Sequence, residues 1–389
     1  MEKAYRYRFY PTTEQESLLR RTMGCVRLVY NKALAARTDA WYQRQERVGY
    51  EQTSSMLTGW KKEEALDFLN EVSSVPLQQG LRHLQKAFTN FWAGRAKYPN
   101  FKKKHHGGSA EFTKSAFKWK HGQVFLAKCS EPLQIRWSRL IPKGCTPSTI
   151  TVKLDARERW YVSLLVDDHT IKPLPKTDKQ IGLDLGVTSL IATSNGDKIA
   201  NPKHFKRLRQ KLRRVQKALS RKHKGSNNRN KARLKVAKVH GQITDSRKDF
   251  LQKLTTQLVR ENQTIVIEDL AIKNLLKNHK LSNALFDASW GELTRQLTYK
   301  CQWYGRELVK IDPYFPSSKR CGNCGHIVDK MPLNIREWEC GVCHTKHDRD
   351  INASQNILAA GLAVSVCGAT VRPQESQSRK AGAMKQKPK

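Results

Sequence analysis

The chain has 389 residues, 38% of them apolar, with 72 lysines and arginines against 34 aspartates and glutamates, a formal net charge of +38. That length favours two or three structural units, and the charge makes polyphosphate the natural partner, because each neutralised phosphate releases condensed counterions; charge alone does not choose DNA over RNA. The N-terminal MEKAYRYRFYP lacks the apolar run of a signal peptide, and no later stretch approaches about 18 uncharged apolar residues, which sets aside secreted and membrane-spanning classes and leaves a cytoplasmic protein as the expectation.

In chain order, residues 6–10 read as a short strand, and PTTEQESLL then offers Thr12 or Thr13 as N-cap with Gln15 or Glu16 three positions on, the capping-box start of a helix. Its apolar set includes Leu19, Val26, Val29, Ala33 and Ala36; helical spacing continues through Leu66 and Leu69, then Leu77, Leu81, Leu84, Phe88, Phe91 and Trp92. These aromatics are read mostly as core and not as a base-stacking platform. After YPNFKKKHH the pattern switches to period two, and 112–119, 123–127, 133–137, 149–154 and 160–166 read as strands, the last two joined by DARER in a hairpin-like turn. With the N-terminal strand they predict a small antiparallel barrel interrupted by the helical unit. KPLPKTDK follows as a polar linker.

IGLDLGVTSLIATSNGDKI then reads as a hairpin opening an α/β domain. Between positions 203 and 238 lie sixteen basic residues and no acid, with Leu208, Leu212, Val215 and Leu219 at helical spacing and KGSNN as a turn. A solvated face would mix signs, so Lys206, Arg207, Arg209, Lys211, Arg213, Arg214, Lys217, Arg221, Lys222, Lys224, Arg229 and Lys231 are candidate phosphate contacts. TIVIE reads as a buried strand, WGELTRQLTYKCQWYG as an amphipathic helix, 308–311 as a strand and DINASQNILAAGLA as a closing helix. The polar tail from about 368 is predicted to be disordered.

Two groups of residues carry chemistry. Cys321, Cys324, Cys340 and Cys343 form C-x2-C pairs separated by fifteen residues, the spacing of a zinc ribbon; iron–sulfur and redox-dithiol readings are minor. A site of four thiolates is closed, so its Zn2+ holds structure and does not activate water. His326, His344 and His347 nearby are read as surface or phosphate contacts. The other five cysteines (Cys25, Cys129, Cys145, Cys301 and Cys367) are scattered, as in a reducing compartment. The second group is Asp184 inside its strand, Glu268 at a strand end and Asp350 opening a helix. Singly these could be a solvent-facing acid, an arginine partner and an N-cap. Together they are what an RNase H-like nuclease sets around two Mg2+ ions for in-line phosphodiester displacement. Asp269 faces the other way, and Asp348 is an alternative ligand.

The set YRYRFYPTTEQESLL, GCVRLVYNKAL, YPNFKKK, IGLDLGV, LSRKHKGSNNRNKARLKVAKVH, VIEDL, WGELTRQLTYKCQWYGRELVKIDPYFPSSKRCGNCG and HDRDINASQNI resembles the TnpB family, transposon-encoded RNA-guided DNA nucleases related to type V CRISPR effectors. The likeness covers about residues 3–361 in motif order. It implies a multidomain α+β protein: a wedge β-barrel (1–10 and 98–172), a helical recognition domain (11–97), a RuvC-like nuclease domain (173–316 and 347–367), a zinc-ribbon target-nucleic-acid-binding insertion (317–346) and a tail (368–389). It further implies Asp184, Glu268 and Asp350 as the catalytic, Mg2+-holding triad, Cys321, Cys324, Cys340 and Cys343 as Zn2+ ligands, a guide RNA from the transposon end, and a double-stranded DNA target beside a short motif. Such a protein is expected to act as a monomeric ribonucleoprotein. Tyr5, Arg27, Tyr30, Asn31, Lys102 and Lys103 are candidates for motif and backbone contacts. Two other readings stay open: a guide-directed regulator or transposition accessory protein that does not cut, and a DDE-like transposase or unguided nuclease. The presence of all three acids weighs against the first, and the extensive region before the nuclease part against the second.

Overall fold

The computed structural model describes residues 1–104, 107–277, 279–332 and 334–366. The expected tail and Cys367 lie outside the described residues. Two compact units are present, Met1–Lys172 with Leu208–Asp245, and Pro173–Arg207 with the chain from Ser246 onward.

The first unit begins with β1 (Glu2–Tyr10), α1 (Thr13–Arg44), α2 (Tyr50–Trp60), a 3-10 turn (Glu64–Asn70) and α3 (Ser74–Trp92). Thr12 caps α1 through a capping box with Gln15. The strands are β2 (Gly108–Thr113), β3 (Phe117–Lys120), β4 (Gln123–Leu126), β5 (Gln134–Arg136), β6 (Pro147–Leu154) and β7 (Trp160–Asp167). They pair antiparallel in the order β2-β6-β7-β1-β5, with β3 and β4 as a separate hairpin. Tyr7, Phe9, Ile150 and Leu164 of the sheet, Val124 and Leu126 of the hairpin and Leu19 of α1 bury into one core. The expected barrel is therefore an open sheet plus a hairpin: a 3-10 turn at Lys114–Ala116 breaks the anticipated strand 112–119, and among the described residues no pairing joins the edges β2 and β5. Val26, Val29, Leu34, Leu57, Leu77, Leu81, Leu84 and Phe88 fill a second core between the helices. Two aromatics depart from the core reading. Trp92 is 55% exposed and Phe91 36%.

The basic stretch forms α4 (His204–Ser220) and α5 (Asn227–Glu261). Its segment Leu208–Asp245 clusters with the first unit, although the sequence placed it within the nuclease domain. The cause is the DARER turn between β6 and β7, which is a docking arm. Arg157 donates through Nη1 and Nη2 to Asp245 on α5 at 2.6 and 3.3 Å, while Asp155 accepts from Nε of both Arg157 and Arg159 at 3.0 and 3.2 Å. Gly241 leaves room beneath this arm: a Cβ there would lie 2.2 Å from Arg157 Nη1, so the arginine would have to shift.

The second unit holds β8 (Gln180–Leu185), β9 (Ser189–Thr193), β10 (Lys198–Ala200), β11 (Thr264–Glu268), α6 (Ile272–Leu275), α7 (His279–Ala288), α8 (Trp290–Tyr304), β12 (Glu307–Ile311), β13 (Glu337–Glu339), β14 (Lys346–Asp348) and α9 (Arg349–Val366). The sheet order is β10-β9-β8-β11-β12, with β8, β11 and β12 parallel and β9 and β10 antiparallel. Strand alternation sends Ile181, Leu183, Ile265 and Ile267 to one face, where they pack with Leu254 and Leu258 of α5 and Leu293 and Leu297 of α8. On the opposite face α9 lies directly on the backbone. A Cβ at Gly182 would meet Ser354 O at 2.2 Å, and one at Gly361 would meet Val266 Cγ1 at 2.3 Å. Among the described residues, no helix is long and apolar enough to cross a membrane.

Candidate active site

The period-two logic that buries Leu183 and Ile267 turns their neighbours Asp184 and Glu268 toward the α9 face. Ile267 pairs with Leu183 in the parallel register, so the two acids are the next residues on adjoining strands. Asp350 is the second residue of α9. It is not the N-cap: Asp348 Oδ1 accepts from the backbone N–H groups of Asp350 and Ile351 at 3.1 and 3.0 Å, leaving the Asp350 side chain for other work. Asp184 senses the other two carboxyls. Burial, followed by the charges of Glu268 and Asp350, pushes Asp184 up to about 7. Burial also raises Glu268, opposed by the Ser317 hydroxyl, which donates to Oε1 at 2.7 Å. Arg336 Nη1 and Lys198 Nζ stand 3.3 and 3.8 Å from Asp350 and supply its counter-charge. Asp269 turns away to Lys310 at 2.9 Å, as the alternation requires. Half-buried, mutually repelling carboxylates offer hard oxygen donors, the chemistry that a divalent cation such as Mg2+ takes.

The cysteines form the other group. Sγ atoms of Cys321, Cys324, Cys340 and Cys343 lie within 4.8 Å of one another, the one set of three or more His, Cys, Asp or Glu ligands among the described residues gathered closely enough to hold a metal ion as it stands. The separations Cys321–Cys343 and Cys324–Cys340 are 3.5 and 3.6 Å. A disulfide needs about 2.05 Å, whereas tetrahedral zinc with bonds of about 2.3 Å spaces its sulfurs by about 3.8 Å. The donor set thus fits zinc. His347 differs from its reading as a surface residue: Nε2 is 3.1 Å from Cys321 Sγ and its ring packs on Trp338. His344 pairs with Glu339 on the surface.

Sequence reasoning missed what joins the two groups. Asn352 and Asn356, one turn apart on α9 and both buried, bind the segment entering the knuckle. Asn352 Nδ2 and Asn356 Nδ2 each donate to Arg320 O at 2.7 Å, Asn356 also to Ser317 O at 2.9 Å, and Asn352 Oδ1 accepts from Gly322 N at 2.9 Å. The helix that carries Asp350 therefore fixes both the backbone beside Cys321 and the serine that holds Glu268. The spacing N-x3-N in INASQN was the available signal.

The predicted nucleic-acid contacts divide. Lys206, Arg207, Arg209, Lys211, Arg213, Arg214 and Lys217 on α4, Arg221, Lys222 and Lys224 after it, and Lys231 on α5 are exposed. Arg229 is a structural residue, since Nη1 donates to Leu219 O and Lys222 O at 3.2 and 2.8 Å and closes the end of α4. Tyr5 is buried with its hydroxyl committed to Asp168, which removes it from the candidates. Asn31 clamps Lys102 through paired backbone bonds of 2.8 and 3.0 Å, and Lys102 Nζ rests 4.0 Å from the buried Tyr30 ring. Arg27 is half-buried and Lys103 exposed.

Three family models match the chain: "Probable transposase" (OrfB_IS605) at residues 162–279, "Cas12f1-like, TNB domain" at 290–357 and "Helix-turn-helix domain" at 1–46, where the structure has β1 and the single helix α1. A Streptomyces pristinaespiralis protein named "Putative RNA-guided DNA endonuclease" is 60% identical over 380 residues, 97% of this chain and 94% of that one. The Escherichia coli K12 "Putative RNA-guided DNA endonuclease InsQ" is 31% identical over 95% of both chains. Among solved structures, the protein of "Cryo-EM structure of the Cas12f1-sgRNA-target DNA complex" aligns with a TM-score of 0.55 at 14% identity, covering 92% of this chain and 98% of that one, so the multidomain mixed α/β fold is shared. With a 60% identical relative matched along nearly its whole length and the OrfB_IS605 model over β7 to α7, the chain belongs to the TnpB family.

Proposed function

We propose that this protein is an RNA-guided, Mg2+-dependent DNA endonuclease that cuts double-stranded DNA paired with a guide RNA beside a short transposon-adjacent motif, acting in the cytoplasm as a monomeric ribonucleoprotein. The observation that carries the reading is the meeting of Asp184, Glu268 and Asp350 at one end of a parallel pair of strands in a chain of net charge +38. Supporting it are relatives named RNA-guided DNA endonucleases and a fold shared with a guide-RNA and target-DNA complex. In this assignment the β8–β12 sheet with α9 is the RuvC-like nuclease domain, 317–346 its zinc-ribbon insertion, the β1–β7 sheet the wedge and α1–α3 the recognition domain.

Asp184, Glu268 and Asp350 would hold the divalent ions, which supply Lewis-acid activation of water and stabilisation of the leaving oxygen. The chain's own residues do the rest. Ser317 orients Glu268, the Asp348 cap fixes the first turn beneath Asp350, and Arg336 and Lys198 place positive charge where a phosphate would enter. Base pairing supplies sequence information, while exposed lysines and arginines of α4 track phosphates. The test is the purified protein with its copurifying RNA, given a matched DNA duplex and Mg2+. Guide-dependent cutting that Asp184→Ala abolishes is expected. Cutting that ignores the guide, or bound but intact DNA, would overturn the reading.

A further inference from the structure

The first unit contains a cavity of about 370 Å³ between the last turns of α1 and α3, lined by Arg37, Trp41, Phe88, Phe91, Trp92 and Tyr98 together with the loop after α1. Four of its aromatics face solvent heavily, Tyr42 at 75%, Trp92 at 55%, Trp41 at 42% and Tyr98 at 39%. Tyr98 is fixed edge-on to Phe88 and Phe91, and its hydroxyl is 2.8 Å from Thr38 Oγ1. Arg37 is the anomaly. It is only 4% exposed, its Nη2 donates to Gln85 at 2.5 Å, and its guanidinium lies 4.8 Å from the Phe88 ring, yet Nε and Nη1 have no partner.

A guanidinium keeps its charge in any protein, so unmade donors on a buried one are a standing penalty that an arriving acceptor would relieve. The occupant must be flat and π-faced to meet the tryptophans, must present acceptors to Arg37, and must tolerate Arg47, whose guanidinium lies 5.9 Å from the Trp41 ring. An apolar side chain from a second copy or a lipid chain would meet the aromatics but leave Arg37 unpaired. A nucleobase satisfies every requirement, and guanine does so best because its O6 and N7 form an edge of acceptors only, whereas adenine places a donor there. We propose that this cavity binds one unstacked base, guanine by preference, of the nucleic acid held by the protein. The inference rests on nucleic acid being the partner and not on the catalytic acids.

The experiment is ultraviolet crosslinking of the full-length protein with its copurifying RNA, with and without matched duplex DNA, followed by mapping of the crosslinked peptides. A guanosine attached at Trp41, Trp92 or Tyr98 is expected, and the arm in which it appears tells guide RNA from DNA. Trp92→Ala, a change at an exposed side chain, should weaken binding of that nucleic acid about tenfold. Arg37→Met, with its melting temperature measured in parallel, should lose a similar factor while remaining folded. Wild-type binding that stays within twofold in Trp92→Ala, or crosslinks confined to other regions, would overturn this proposal and leave the nuclease reading intact. A concentration-dependent dimer dispersed by Trp92→Ala would make the cavity a protein interface and overturn it too. Failure of the wild-type chain to bind any RNA would count against both.

Discussion

Two parts of the second unit carry candidate metal ligands, and different forces assemble them. The knuckle gathers four thiols from 23 residues of chain, and their sulfurs approach to 3.5 Å. The acids come from three separate elements, and every approach adds mutual repulsion to the cost of burial, which together push Asp184 up to about 7. Turn geometry suffices for the first. The second needs a scaffold: the parallel register of β8 and β11, the glycines at 182 and 361 that let α9 lie on the sheet, and the Asp348 cap. A local metal site can therefore stabilise the fold, whereas a distributed acidic one is held in place at the fold's expense.

The largest effect expected is on the acids. Asp184→Ala should lower cleavage by about 10³-fold or more in a single-turnover assay. Asp184→Asn should at the same time raise the melting temperature without divalent ions at pH 8. The sign follows from the raised carboxyl: between about pH 4 and 7 the native state keeps a proton that the unfolded chain has lost, so this stability contribution falls as pH rises and its full cost is present above 7. After allowance for partial exposure the gain is about 2 kcal/mol, and it should vanish below about pH 3, where both states are protonated. A lower melting temperature for Asp184→Asn at pH 8 would break the contrast. Cys340→Ser, or strong chelation, should act in the opposite direction, with zinc lost and about 3 kcal/mol of stability removed from the second unit. Unchanged melting after chelation would show that the thiols hold nothing.

Asn356→Ala probes the join between the two sites. It leaves Ser317 O without its Asn356 donor and takes one of two donors from Arg320 O, at a cost of about 2 kcal/mol. Zinc content measured by metal analysis should be retained while cleavage falls about tenfold, because Asn352 still holds the knuckle backbone whereas Ser317 loses its anchor. Zinc loss equal to the activity loss would instead place the asparagine within the knuckle's own stability.

What the sequence made legible tracks the range of the interactions. The cysteine spacing, the capping box at Thr12 and the strand alternation that pairs Leu183 with Asp184 on opposite faces are local, and each can be read within a few residues. DARER looked like an ordinary turn because its partner, Asp245, lies 88 positions from Arg157, and for the same reason the grouping of Leu208–Asp245 with the first unit was not legible in the sequence. Arg229 and Tyr5 looked like contact residues because their partners, two carbonyls at a helix end and a buried aspartate, leave no trace in composition. Phe91 and Trp92 continued a core spacing, and only the end of the helix packing exposes them.

The smallest effect expected is the most specific. Ser317 contributes one hydroxyl to Glu268 Oε1, and its backbone stays tied to Asn356 whatever its side chain. Ser317→Ala should therefore leave zinc content and melting nearly unchanged and remove only the orientation of Glu268. Losing one such hydrogen bond is worth about 1 kcal/mol, or roughly fivefold, and it should appear as a higher Mg2+ requirement for half-maximal cleavage with DNA affinity unaltered. Ser317→Thr keeps the hydroxyl and should restore the wild-type requirement. If Thr failed to rescue, or if Ala weakened DNA binding instead, Ser317 would be acting through the shape of the segment leading to Cys321. The link from knuckle to acids would then run through the asparagines alone.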